Sequence, residues 1–85
     1  MNEDIIDCKY AVLNRIACLV NEFQIDIHGL YFTNTENYLF TVNLEFMFNN
    51  NKYKITNSFK EKSFRYDLKE FSYNVENEIL NLIDN

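Results

Sequence analysis

The sequence is poor in the residues that most often carry chemistry, with one histidine, two cysteines, one glycine and no proline or tryptophan. The single histidine, His28, excludes a multi-histidine metal site within one chain, and we expect no catalytic triad around it. No glycine-rich loop is present to hold a phosphate group. Nearby carboxylates such as Glu76 and Glu78 point in different directions on a helix. We therefore expect no enzymatic activity, no metal and no cofactor.

The two cysteines do not suggest a disulfide. Cys8 and Cys18 fall on one continuous helical pattern, which separates them by about 15 Å along the helix axis. A disulfide needs Cα atoms within about 7 Å of each other. We expect both to be reduced and to act as small buried hydrophobic residues.

Long hydrophobic runs are also missing. The chain begins with the acidic stretch Met1 to Asp4, whereas a signal peptide begins with basic residues, and no apolar run approaches the ~20 residues of a membrane span. These features predict a protein of the bacterial cytoplasm with no membrane partner.

What the chain has in quantity is aromatic and asparagine residues. Eight Phe and six Tyr in 85 residues supply a core for one domain, residues 1–85, although a chain of this size buries only about 60% of its unfolded surface. Fourteen Asn, together with abundant Ile, Lys, Phe and Tyr, match AT-rich codons. We expect the source to be a low-GC bacterium or one of its phages.

The charges are sorted into three blocks along the chain. Residues 1–48 hold seven acids and two bases, residues 49–69 hold two acids and six bases, and residues 70–85 hold four acids and no base. The net charges are therefore −5, +4 and −4, which sum to the −5 of the whole chain. Segregation of this kind steers a protein toward a charged partner.

The first element is predicted to be a helix that begins at Asp4, with Asp7 in the capping box. A stripe at steps of three and four residues indicates its buried face: Ile5, Cys8, Val12, Ile16, Leu19 and Phe23. Ile6, Leu13 and Val20 widen this stripe on one side, which predicts a broad buried face. Lys9 falls within it, with its stem over apolar surface and its ammonium reaching outward.

Three strands follow, because the hydrophobic period changes to two after Gln24. The first contains Ile25 and Ile27, and its alternation changes parity at His28 and Gly29, which predicts a β-bulge there. The second runs from Tyr38 to Phe48, and its inward positions are Phe40, Val42, Leu44 and Phe46. The third has inward Tyr53, Ile55 and Phe59 and outward Lys52, Lys54, Thr56, Ser58 and Lys60. Polar turns at residues 34–37 and 49–51 connect these strands.

The last element is predicted to be a helix that begins at Asp67 and forms a capping box with Glu70. Its apolar stripe is Leu68, Phe71, Val75, Ile79 and Leu82. The predicted fold is thus α+β with the order α-β-β-β-α, in which both helices pack on one face of a three-stranded antiparallel meander and the other face is open.

The basic segment from Lys52 to Lys69 has two interpretations. Its lysines protect an edge strand from aggregation, with Lys54 opposite Glu45, or they contact nucleic acid. Inward-facing Tyr53 and Phe59 favour the first, because they leave the lysines without aromatic rings on which bases could stack.

The element order is similar to that of the double-stranded-RNA-binding domain, and this resemblance implies an RNA-binding function. The resemblance lies in the topology, that is, in the order of helices and strands. Residues Asn34 to Asn37 stand where that family has a Gly-Pro-x-His-like turn, and Asp67 to Glu70 stand where it has a lysine-rich helix opening.

Our leading hypothesis is a small acidic non-enzymatic inhibitor that binds another protein as a monomer or homodimer. In its concrete form, it is a phage or mobile-element anti-defence protein, similar to an anti-CRISPR, whose carboxylates occupy a basic nucleic-acid groove of a host effector. A toxin-immunity protein or antitoxin fits the same features. The candidate partner-binding residues are Glu3, Asp4, Asp7, Glu70, Glu76, Glu78 and Asp84 on the helices, and Tyr31, Glu45 and Met47 on the open sheet face.

Overall fold

The computed structural model describes residues 2–34 and 36–83, with side chains described for residues 5–34 and 36–81. The elements are helix α1 (Asn2–Phe23), strands β1 (Asp26–Thr33), β2 (Phe40–Phe48) and β3 (Asn51–Phe59), and helix α2 (Phe64–Ile83). The strands form one sheet in the order β1-β2-β3, and both neighbouring pairs are antiparallel. The predicted α-β-β-β-α fold of the α+β class is confirmed.

One hydrophobic core joins the helices to the sheet. Along β2, buried residues alternate with half-buried ones, as expected for a central strand with one face on the core. The helices contribute Val12, Ile16 and Leu19 from α1 and Phe71, Val75 and Ile79 from α2 to the same core. Both helices therefore pack on one face of the sheet.

Five phenylalanines gather at one end of this core. The ring of Phe59 lies 5.4 Å from that of Phe40, 5.5 Å from that of Phe64 and 5.9 Å from that of Phe71, measured between centroids. Phe32 of β1 contacts Phe40 edge-on at 5.3 Å. Each such pair adds about 0.5–1.5 kcal/mol to the stabilisation from buried area. The cluster therefore ties β1, β2, β3 and the start of α2 together.

The predicted bulge and turn are confirmed. The β1–β2 register passes from Ile27 opposite Phe46 to Gly29 opposite Glu45, so His28 has no register partner. Asn49 and Asn50 have φ values of 52° and 66°. Positive φ at both positions of a two-residue loop is the geometry of a type I′ hairpin, which asparagine tolerates better than most residues.

Helix α2 begins at Phe64, three residues before the predicted start at Asp67. The backbone nitrogen of Asp67 donates to the carbonyl of Ser63 at 2.8 Å, which closes the first helical turn. The Asp67 carboxylate accepts hydrogen bonds from the backbone nitrogen of Lys60 and from the hydroxyl of Ser63, both at 2.9 Å. Asp67 thus braces the β3–α2 connection, and contacts of Phe64 with the phenylalanine cluster extend the helix toward β3.

The broad buried face predicted for α1 is wrong on one side. Ile6 is 51% exposed and Leu13 is 38% exposed, and Cys18 is exposed rather than buried. A sheet of three strands spaced about 4.8 Å apart is narrow, whereas the axes of two packed helices are about 8–10 Å apart. Each helix can therefore bury only a narrow stripe of its surface on this sheet. Lys9 is half-buried, and its Nζ lies 5.5 Å from the centroid of the Phe32 ring.

Candidate functional site

The two helices form one layer and run in the same direction. Short connections of two residues after α1 and four residues before α2 reverse the chain at each helix–strand junction, and the strands alternate in direction between them. The amino-terminal ends of α1 and α2 therefore lie at the same end of the molecule, which measures 43 × 21 × 20 Å.

This helical layer carries most of the exposed large hydrophobic residues. Eight such residues are exposed within the described part of the chain, and only Tyr31 and Tyr38 lie outside the helices. The other six form two rows, which we name the α1 stripe (Ile6, Tyr10, Leu13) and the α2 stripe (Tyr66, Tyr73, Leu80). Exposed aromatic and aliphatic residues grouped in this way are typical of protein interaction surfaces.

The α1 stripe has one acidic residue, Asp7, at its edge. Its members are spaced by four and three residues, so they form one continuous row on the helix. Tyr10 is 61% exposed. Asp7 is exposed and three residues before Tyr10, which makes the two side chains neighbours on the helix surface. The stripe therefore combines an apolar row with a carboxylate at its edge.

The α2 stripe runs along the outward face of its helix. Its members are seven residues apart, and Tyr66 and Tyr73 are 68% and 64% exposed. Lys69 and Glu70 lie between these tyrosines, and the four residues line a shallow depression of about 340 Å³. This stripe thus has charges of both signs at its edges.

The predicted partner-binding acids with described side chains differ in position and exposure. Asp7, Glu70 and Glu78 are exposed, whereas Glu76 is half-buried. At 100° per residue, Glu70 and Glu76 lie about 120° apart around α2. The side chains of Glu3, Asp4 and Asp84 lie outside the described residues. Glu70 and Glu76 therefore lie on different sides of α2 instead of in one acidic cluster.

The outer face of the sheet pairs its polar groups across strands. The hydroxyls of Thr41 and Ser58 hydrogen bond at 2.9 Å, and the Thr56 hydroxyl donates to Asn43 Oδ1 at 3.0 Å. Glu45 lies opposite Lys54 in the register, as predicted. Cross-strand pairs of this kind stabilise a solvated sheet face. The outer face of the sheet is therefore more polar than a docking surface that mixes apolar and charged residues.

The three predicted partner-binding residues of the sheet share this outer face. Tyr31 is exposed, and Glu45 and Met47 are half-buried. Glu45 and Tyr31 lean over Gly29, since a Cβ at that glycine would lie 2.7 Å from Glu45 Oε2 and 3.1 Å from a Tyr31 ring carbon. A side chain at position 29 would thus displace the end of the Glu45 side chain and press on the Tyr31 ring at the bulge.

A cleft of about 350 Å³ opens beside the bulge, lined by His28, Glu45, Phe46, Lys52, Tyr53 and Lys54. The Nε2 of His28 lies 3.3 Å from the Asp26 carboxylate, and both side chains are exposed. The lining contains no serine, threonine or cysteine that could act as a nucleophile. With Glu45, Lys52 and Lys54 in its lining, the cleft is suited to weak contacts with a ligand that carries both a positive and a negative charge.

The described part of the chain contains no candidate metal site and no candidate membrane-spanning helix. No three of its His, Cys, Asp or Glu residues are grouped so that they could hold a metal ion. None of its helices is long and apolar enough to cross a membrane.

The basic residues are dispersed, and two of them contact the protein's own aromatic rings. Lys60 lies over the Tyr38 ring at 5.4 Å, as Lys9 does over Phe32. Tyr53 stacks on Phe46 with ring centroids 5.2 Å apart. Because Tyr53 is turned toward the core, the exposed lysines of β3 have no ring on that strand for base stacking, as predicted.

Sequence reasoning missed the two stripes as surfaces. Ile6 and Leu13 were assigned to the core because they adjoin the buried stripe of α1. For α2, the signal was available, since Tyr66, Tyr73 and Leu80 recur every seven residues and fall opposite the stripe of Phe71, Val75 and Ile79.

Comparison of the chain with protein-family models, curated proteins and solved structures gives no match.

Proposed function

We propose that this protein is a small non-enzymatic inhibitor that binds another protein through its helical layer. The observation that carries the proposal is the distribution of exposed large hydrophobic residues, since six of the eight among the described residues lie on the two helices. Tyrosine and leucine side chains supply the buried area that dominates binding energy, and tyrosine is enriched in binding hot spots.

The α1 stripe is the centre of the proposed binding surface. Tyr10 and Ile6 are more than half exposed and lie beside Asp7. A row of this form fits the helix-in-groove mode of recognition, in which residues at steps of three and four enter a groove of the partner. Glu70 and Glu78 on α2 place further carboxylates on the same layer.

The proposed partner is a host effector with a basic groove that normally holds nucleic acid. Carboxylates can accept hydrogen bonds from arginine and lysine in the positions that phosphates would take. The net charge of −5 favours association with a basic surface. Together with the AT-rich composition, this favours an anti-defence protein of a phage or mobile element, similar in action to an anti-CRISPR.

A capture experiment tests the proposal. The protein is immobilised, exposed to lysate of a low-GC bacterial host, and the bound proteins are identified by mass spectrometry. We expect a nucleic-acid-binding effector to be retained, and we expect Tyr10→Ser and Asp7→Lys to reduce its recovery at least tenfold, whereas Glu36→Lys, an equal charge change in the β1–β2 connection, leaves it unchanged.

Three results would contradict this function. Capture of a single toxin that binds no nucleic acid would replace the inhibitor with the immunity-protein alternative. Capture that depends on Tyr31 but not on Tyr10 would move the binding surface to the sheet. Equal recovery with all variants would remove the α1 stripe from the interface.

A further inference from the structure

We propose that α2 is a self-association surface and that two copies of this chain pack their α2 helices antiparallel, with the two-fold axis at Tyr73. Seven residues make nearly two helical turns, so residues spaced by seven drift only about 20° around the helix. Tyr66, Tyr73 and Leu80 therefore form a straight outward row, the period expected of a helix that packs along another helix.

The charge along α2 indicates the direction of packing. Within α2, residues 64–69 carry two bases and one acid, whereas residues 70–83 carry three acids and no base. The acid of this first segment, Asp67, already accepts hydrogen bonds from Lys60 and Ser63. Antiparallel packing places the basic segment of each copy against the acidic segment of the other, whereas parallel packing sets like charges together.

The register follows from the positions of the side chains. With Tyr73 on the two-fold axis, Tyr66 of one copy faces Leu80 of the second copy. Lys69 and Glu76 are also seven residues apart, so they share one flank of the α2 stripe. In an antiparallel two-fold pair, each flank meets the same flank of the other copy. Lys69 of each copy therefore lies opposite Glu76 of the other, which gives two such pairs in the dimer.

The α1 stripe lacks this complementarity. It lies at the acidic end of its helix, and the nearby ammonium of Lys9 is already placed over Phe32. The proposed dimer therefore uses α2. This inference goes beyond the proposed function, since it concerns the α2 stripe and a second copy of this chain.

The contact is small. From Tyr66 to Leu80 the stripe covers about 21 Å of helix. An interface of one helix width over that length is below the ~800 Å² per partner of a standard stable interface. Self-association is therefore expected to depend on concentration.

Sedimentation equilibrium of the full chain from about 5 to about 500 µM tests the dimer, since interfaces of this size dissociate on dilution. We expect the average mass to rise from 10.3 kDa toward twice that value. Lys69→Glu and Glu76→Lys should each weaken dimerisation at least tenfold, and the double exchange should restore it. Lys52→Glu and Glu36→Lys are matched charge changes away from α2 and should have no effect. Circular dichroism verifies that every variant is folded.

Disulfide crosslinking tests the register. In a background with Cys8→Ala and Cys18→Ser, Tyr73→Cys should give a covalent dimer on mild oxidation, because both copies of that residue lie at the two-fold axis. Tyr66→Cys should crosslink with Leu80→Cys but not with itself. A mass of one chain at every concentration would overturn the proposal. Self-crosslinking of Tyr66→Cys, or a double exchange no better than the single ones, would overturn the antiparallel register.

Discussion

Removal of the amide of Asn74 should destabilise the protein more than its partial exposure suggests. Asn57 is a polar residue on the inner side of β3, only 9% exposed and flanked by buried Ile55 and Phe59. Its Oδ1 accepts a hydrogen bond from Asn74 Nδ2 of α2 at 3.0 Å. Asn74→Ala leaves that buried acceptor without its donor, which costs about 1–3 kcal/mol of unfolding free energy.

This cost is large for so small a domain. At about 0.05–0.15 kcal/mol per residue, a chain of this length has an unfolding free energy of about 4–13 kcal/mol. A loss of 1 kcal/mol should lower Tm by about 4–8 °C. Urea unfolding followed by circular dichroism at 222 nm gives the free energy of unfolding of each variant under the same conditions.

The double variant separates an unsatisfied polar group from a simple loss of contact. When Asn57→Val and Asn74→Leu are combined, neither a buried donor nor a buried acceptor is left unpaired, so the protein should be within about 1 kcal/mol of the original or more stable. If Asn74→Ala changed the unfolding free energy by less than about 0.3 kcal/mol, or if the double variant lost the sum of two single losses, the reasoning would be refuted.

Three further predictions follow from the faces of the elements. Phe46→Ala should lower the free energy of unfolding by about 3–5 kcal/mol and Met47→Ala by less than about 1 kcal/mol. The reason is that Phe46 is buried on the inner face of the sheet, whereas Met47 is half-buried on the outer face. Similar urea midpoints for the two variants would contradict this assignment. Cys18 should react with a maleimide in the native state faster than half-buried Cys8, and an intact mass two daltons low with no label would contradict the continuous α1 helix. Gel shifts with duplex RNA, duplex DNA and single strands at about 50 and 200 mM salt should show no complex, whereas a salt-sensitive complex lost on charge reversal of the β3 lysines would favour the RNA-binding alternative.

Much of the fold was predictable because local chemistry and packing agree. The alternation along β2 identified its inner face, and the change of parity around Gly29 identified the bulge. Consecutive asparagines predicted the left-handed turn that Asn49 and Asn50 form. In each case, a short stretch of sequence contains the physical reason for the structure.

The differences arise where distant residues compete with local signals. Asp67 resembles a helix cap, but contacts of Phe64 with Phe40 and Phe59 start α2 one turn earlier. Asn57 occupies an inner position because Asn74, seventeen residues later, supplies its hydrogen bond. Neither effect is visible in a local pattern.

The candidate surface was predicted less well than the fold. The helices were expected to bind through their carboxylates, and Asp7, Glu70 and Glu78 are exposed as that requires. The exposure of Ile6 and Leu13 depends on how two helices share a three-stranded sheet, which the periodicity of α1 alone does not determine.

Release of the captured partner by nucleic acid tests the central claim most directly. The immobilised protein is loaded with host lysate and then eluted with duplex DNA, duplex RNA or an uncharged polymer of matched mass. If the acidic helical layer occupies a nucleic-acid groove, DNA or RNA should displace the effector in proportion to concentration, and the polymer should not. An effector that stays bound at saturating nucleic acid, with the α1 stripe intact, would show that the two ligands do not compete and would contradict the proposed mode of inhibition.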